Sequence, residues 1–302
     1  MGITHYPDGI SSFGVPVLGG SILTTGNIFF VDSGASNAAD TTANGEKDMP
    51  FATIDYAVGR CTANNGDHIV AMPGHAETVS AAAGLDLDVA GITVVGIGRG
   101  TAQPTVTLGT AAAADVDIGA ANVTVENLNF VANVADITAA IDVNATDFTL
   151  RNCRFTQAGD DLNALIWVQD AAAAGSDRIT IENCHAIAYD ASNTHFINLA
   201  GTGDGHIIRG NILIGDWGTM AIGGAGVVTN ATCMNNVMSN AASDNDSCIS
   251  FAATATGICV GNLVGSAAAQ ANQITATAMT VCENYGAVTT EDLSGVLEPA
   301  TT

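Results

Sequence analysis

The residues best suited to proton-transfer chemistry are an adjacent carboxylate pair, Asp160-Asp161, and a later group, Gly203-Asp-Gly-His206 followed by Arg209. Two carboxylates on either side of a scissile bond can divide acid and base roles, and a cationic side chain beside them can stabilise developing charge. If the chain is an enzyme, Asp160, Asp161, His206 and Arg209 are its candidate catalytic residues. The simpler reading is structural. Asp160-Asp161 suits a solvated turn, and His206 stands just ahead of a strand, facing solvent or a neighbouring strand. His68, His75, His185 and His195 have no partner at a useful spacing.

Metal and cofactor chemistry finds little support. No cysteine pair has Cys-x-x-Cys spacing, no twelve-residue EF-hand loop is present, and the seven cysteines read as small, buried, reduced residues. No metal or cofactor is expected. Trp167 and Trp217 are the two tryptophans available to stack on a sugar ring, and half-buried packing is the expected role for both. Asn-x-Ser/Thr matches at Asn122, Asn144, Asn230 and Asn245 are what chance gives in so Asn- and Thr-rich a chain.

The elements that must position these side chains come from an internal repeat. Seven segments share an apolar stretch, an Asn and a second apolar stretch, as in Val123-Thr-Val-Glu-Asn127-Leu-Asn-Phe130 and Phe148-Thr-Leu-Arg-Asn152-Cys-Arg-Phe155. The asparagines are Asn127, Asn152, Asn183, Asn211, Asn236, Asn262 and Asn284, with a mean spacing of about 26 residues. Apolar residues alternate ahead of each Asn, which predicts strands with one buried face. Asn tolerates a left-handed backbone, so each marks a sharp bend, and stacked bends would form an amide ladder. A coil of three short strands per repeat encloses its own core. Leu128, Cys153, Cys184, Ile212, Val237, Leu263 and Tyr285 are then expected as an interior stack, with Phe130, Phe155, Ala186 and Ile214 two residues on.

Composition agrees with such a coil. The 302 residues carry 30 Asp+Glu against 7 Lys+Arg, a formal charge of −23, and only 12% are charged. That balance excludes a broad basic face for nucleic acid or anionic lipid. The scarcity of Lys, Arg and Glu argues against a helical bundle, and 47% apolar content argues against disorder. No stretch reaches the ~18 consecutive apolar residues of a membrane span. Met1–Gly20 has no basic segment leading into an apolar run, so no secretory signal is expected.

The repeat resembles the right-handed parallel β-helix of the pectin-lyase-like superfamily. Phe29-Phe-Val-Asp-Ser33 resembles its opening strand, Pro50–Cys61 the helix that caps its first coil, and Gly66–His75 and Ile92–Gly98 its first rungs. The resemblance implies an all-β fold: a right-handed single-stranded parallel β-helix with an N-terminal capping helix and an extended N-terminal arm. The expected divisions are an arm over 1–28, opening strand, cap and first rung over 29–75, the coil over 76–285 and a tail over 286–302.

Enzymes of this superfamily cleave polysaccharides with clustered Asp, and the order Asp160-Asp161, His206, Arg209 is similar to the hydrolase order. The match ends there: no Asn-Thr-Asp precedes the pair, no Gly-His-Gly follows, and no Lys accompanies Arg209. The arm, rich in Gly, Ser, Thr and Pro with scattered apolar residues, together with the cap, resembles β-helix proteins of tailed viruses. That resemblance implies a non-enzymatic subunit at the virion surface, assembled in the host cytoplasm. Capsid decoration comes first, and a fibre or spike second. Residues 1–28 would bind capsid or tail proteins, and a homotrimer, a host-surface glycan and a saline habitat are further implications. A tailspike-type depolymerase or a glycan-binding module is the alternative.

Overall fold

In a computed structural model, the protein is described over residues 24–170, 176–241, 247–266 and 272–288, with backbone alone for Ser11–Ser12, Val15–Pro16 and Ser294–Val296. Most of the expected arm and tail lies outside these residues. Short strands recur in a fixed order and build three parallel sheets. The first sheet has ten strands, from Ile28–Val31 to Thr280–Cys282. The second also has ten, ending with Ser294–Val296 antiparallel to Tyr285–Val288. The third has eight, from Leu85–Asp86 to Ile274–Thr275. Each coil contributes one strand to each sheet, and each strand pairs with its counterpart one coil away. The result is a parallel β-helix of eight full coils.

Side-chain alternation explains the winding. The first sheet's inner column runs Val94, Val125, Leu150, Ile181, Ile208, Cys233, Cys259 and Val281. The second sheet's runs Val106, Phe130, Phe155, Ala186, Leu213, Met238 and Val264. Phe130 stacks on Phe155 with ring centroids 5.2 Å apart, and Phe155 meets Trp167 and Phe196 edge-on. Trp167 and Trp217 are fully buried rather than half-buried, so neither offers a face to a sugar. No helix among the described residues is long and apolar enough to cross a membrane.

The helix at the first coil is shorter than the sequence suggests, Ile54–Val58 rather than Pro50–Cys61. Phe51 pairs with the strand at Val31, and its N–H donates to Phe30, which holds Pro50–Phe51 extended. Thr53 is the N-cap, its hydroxyl accepting from the Tyr56 N–H, and the helix ends at Gly59 before the expected Asn64-Asn-Gly66 stop. Ile54, Ala57 and Val58 are buried in the core of the first coil.

The asparagine column is two columns. Asn127, Asn152 and Asn183 take left-handed φ values of 56°, 57° and 54° and make the bend between first and second sheets. In later coils the bend falls one residue earlier, at Gly210, Asn235, Gly261 and Glu283, all with positive φ. Asn211, Asn236, Asn262 and Asn284 therefore occupy the next, inward position, level with Leu128, Cys153 and Cys184, and all four are fully buried. The expected interior stack fails from Ile212 onward. Ile212, Val237, Leu263 and Tyr285 face outward, 42–51% exposed, and Ile214 does the same. A glycine serves the bend at 210 and 261 because a Cβ there would strike the Asn183 or Asn235 side-chain oxygen below, at 2.6 and 2.4 Å.

The amide ladder is confined to the last four of the seven asparagines. Asn211, Asn236 and Asn262 donate from Nδ2 to the Oδ1 of the next Asn at 2.9–3.0 Å. Each of these Oδ1 atoms also accepts the backbone N–H of the preceding Asn. The second Nδ2 hydrogen reaches a carbonyl of the coil before, Ile181, Ile208 or Cys233, at 3.1 Å.

Candidate functional site

The four sequence-predicted residues do not converge. Asp160 and Asp161 are exposed in a turn between a second-sheet strand and a third-sheet strand. Arg209 lies on the outer face of the first sheet, with Nε 2.7 Å from Glu182 Oε2. It closes an outward column, Glu126, Arg151, Glu182, Arg209, in which Arg151 likewise bonds Glu126 at 3.1 Å. Opposite charges one strand apart stabilise a sheet, so this arginine is committed to a structural pair.

His206 does not face solvent. It is 1% exposed, and its Nδ1 accepts the Ile179 N–H at 3.2 Å. Its Nε2 lies 4.0 Å from Asp170 Oδ2, and neither atom has a hydrogen-bond partner among the described residues. Asp170 occupies a core position of the third sheet, in register with Val143 on one side and Leu199 on the other. Its other oxygen accepts from the Ser176 hydroxyl, and Gly201 donates a backbone bond. Burial pushes the Asp170 carboxyl up to about 6 and holds the His206 imidazole below its ordinary value. The pair is walled by Val168, Ile179, Ile181, Ile197, Leu199 and Ile208, packed with no room for a water molecule among them. An acid, a hydroxyl and an imidazole thus gather here, sealed inside the coil away from any large substrate.

His75 is buried in a comparable way near the cap. Its Nδ1 accepts the Ser33 N–H at 3.0 Å, and its Nε2 sits 3.4 Å from Glu77 Oε2. Glu77 in turn accepts the Ile54 N–H at the start of the cap helix, 2.9 Å away. This linkage ties the helix to the first coil. His195 is pushed down to about 4 by burial.

One carboxylate gathering that the sequence reading missed lies on the outer face of the third sheet. Asp86, Asp117 and Asp142 are in register across three successive strands, with Gln169 and Asn198 continuing the column. Adjacent strands sit ~4.8 Å apart, so three like charges are stacked at close range. Burial raises Asp86 and Asp142, and the neighbouring carboxylates raise them further, those of Asp88, Asp117 and Asp55 for Asp86 and of Asp117 and Asp115 for Asp142. Asn144 donates to Asp117 at 2.6 Å. The signal was present in the sequence: an Asp between apolar residues recurs in Leu85-Asp-Leu87, Val116-Asp-Ile118 and Ile141-Asp-Val143. No group of three His, Cys, Asp or Glu among the described residues has the arrangement of a metal site.

No protein-family model matches the chain, and no curated protein sequence matches it. Among solved structures, a rhamnogalacturonan lyase is similar over 91% of this chain at 12% identity, with a TM-score of 0.42. The chain spans 66% of that protein's length. The pectate lyase Pel9A is similar over 85% of this chain and 78% of its own, at 11% identity and a TM-score of 0.43. A GH136 lacto-N-biosidase from Eubacterium ramulus is similar over 87% of this chain and 68% of its own, at 11% identity and a TM-score of 0.34. These structural neighbours are polysaccharide lyases and a glycoside hydrolase built on a β-helix. The likeness concerns the path of the backbone, and no residue role passes from them to this chain.

Proposed function

We propose that this chain is a non-enzymatic structural β-helix, a surface subunit of a tailed-virus particle anchored through residues 1–28. Capsid decoration is the first role and a fibre or spike the second. The observation that carries the non-enzymatic part is the fate of the predicted acid–base set. Arg209 is neutralised within an ion ladder, His206 is sealed in the core, and Asp160-Asp161 stand apart in a solvated turn. The viral part rests on the sequence resemblance of the arm and cap. Deleting residues 1–28 is expected to leave a folded coil that no longer binds particles. A truncated protein that still decorates them refutes the anchoring role.

A second reading, a polysaccharide-degrading enzyme, is favoured by the Asp86–Asp117–Asp142 column. Carboxyl groups about 5 Å apart suit a nucleophile and an acid in glycoside hydrolysis. Incubating the intact chain with acidic and neutral polysaccharides, beside the Asp117→Asn variant, separates the readings. Cleavage by the wild type that disappears in the variant establishes the enzyme. No cleavage of any polymer supports the structural role.

A further inference from the structure

The outer surface of the coil divides sharply in charge. Of the 30 acidic residues only Asp244 and Asp246 fall between positions 217 and 282, and none of the 7 Lys+Arg does. In the earlier coils the same outward columns hold Glu126, Arg151, Glu182 and Arg209 on the first sheet and Asn129, Arg154 and His185 on the second. In the later coils the columns turn apolar. The second sheet presents Ile212, Val237, Leu263 and Tyr285, each one strand above the last and 42–51% exposed. The first sheet presents Ile258, 46% exposed, beside Val260. The two faces meet at the bend formed by Asn235, Gly261 and Glu283. A contiguous exposed apolar face of this kind marks an interaction surface.

We propose that a second copy of this chain packs against this face, side by side and parallel to the first. Two arguments identify the occupant. The first is charge: each copy carries −23, so two copies repel wherever their acidic surfaces meet. The later coils are where charge is sparsest, with Glu283 the acidic residue at the bend itself, so there two copies can approach with the fewest like charges between them. The second is pitch. The apolar stripe repeats once per strand, ~4.8 Å, and a parallel copy offers the same repeat, so the side chains interdigitate coil after coil. A globular partner has no such period. The inference is independent of any role in a virus particle.

Sedimentation of the full chain across a range of concentrations tests it. The wild type is expected to sediment as a multiple of its 30.3 kDa mass. Leu263→Glu and Ile258→Glu each place a charge on the face without touching the core, and each is expected to weaken association about tenfold or more, the loss of one anchor contact. Thr149→Glu, on the outer face of an earlier coil, is expected to change nothing. Circular dichroism checks that every variant is folded. A wild type that stays monomeric at every concentration overturns the proposal. So does an assembly that both Leu263→Glu and Ile258→Glu leave intact.

Discussion

Replacing Asn236 by Ala tests what holds the later coils at their bend. Asn236 is fully buried and its side chain engages five groups, Cys233 Sγ at 3.5 Å among them. Its Oδ1 accepts from Asn211 N and from Asn211 Nδ2, both at 3.0 Å. Its Nδ2 donates to Ile208 O at 3.1 Å and to Asn262 Oδ1 at 2.9 Å. The truncation leaves two donors of Asn211 without partners, and a buried unsatisfied group costs about 1–3 kcal/mol. Loss of packed side-chain volume adds to this, so the destabilisation is about 3–5 kcal/mol, a large share of a typical domain's ~5–15 kcal/mol. Asn152→Ala is the comparison. Asn152 is exposed with φ 57°, and its Nδ2 donates to Glu126 Oε1 at 3.2 Å, so the change adds the left-handed penalty of an ordinary residue, about 1 kcal/mol, to the loss of one exposed hydrogen bond, and Asn152→Gly removes the first of these. Urea unfolding followed by circular dichroism reads all three as shifts in midpoint at constant slope. Equal shifts for Asn236→Ala and Asn152→Ala would refute the division of the asparagines into bend and ladder.

Acidity is expected to stabilise this protein down to a point. Asp86, Asp142 and Asp170 bind protons more tightly folded than unfolded, so their contribution is complete below the unfolded value of about 3.9 and is lost as pH rises through their folded values, about 6 for Asp170. Asp67, Asp147 and Asp204 are held low by hydrogen bonds, although burial opposes this most at Asp67, and their contribution disappears below about 3.9. Melting temperature should therefore peak near pH 4 and decline from about pH 4 to 6, and Asp170→Asn should flatten that decline. A melting temperature that climbs steadily through pH 7 contradicts the assignment. Asp117→Asn removes the middle charge of the acidic column and keeps a partner for Asn144, so it should raise stability by about 0.5–1 kcal/mol in chemical denaturation, more at pH 7 than at pH 4. A destabilised Asp117→Asn would mean the column holds something that needs its charge. In a thiol-reagent assay on the native chain, Cys282 should react first, Cys61 far more slowly with its thiol pushed up to about 12, and buried Cys153, Cys184, Cys233, Cys248 and Cys259 only on unfolding.

The coil was legible in the sequence because its repeat and its alternation are carried by residue type. The phase of the repeat was not, and the reason lies in asparagine itself. Its short amide serves equally as a left-handed bend and as an inward hydrogen-bonding link, and Asn235-Asn236 offers both at adjacent positions. Aligning on Asn alone slips the later coils by one residue, and a slip of one exchanges inside for outside in every strand. The bend ahead of the first sheet went unseen because no residue type marks it: Asn64, Gly91, Asn122, Asp147, Arg178, Gly205 and Asn230 all share positive φ. Asn122 and Asn230, taken as chance glycosylation matches, serve there as bend residues. The predicted site failed for a different reason. Asp160-Asp161, His206 and Arg209 belong to different faces of the coil, and proximity across coils is invisible without the phase. The same phase places Asp170 in the core and aligns Asp86 with Asp117 and Asp142.

The buried amides all point one way along the axis. Asn211, Asn236 and Asn262 complete their hydrogen bonds only when the following coil is present, because Nδ2 and the backbone N–H both reach the next Asn Oδ1, and Asn284 closes the run by donating to Cys259 O and Cys282 O. Hydrogen bonds in such a chain polarise one another, and loss of one link leaves the buried donors of the Asn before it without their acceptor. Nearest-neighbour coupling of this kind makes the stretch from Asn211 to Asn284 a single cooperative block with a direction, whereas the earlier coils, where Leu128, Cys153 and Cys184 fill the same column, can open one at a time.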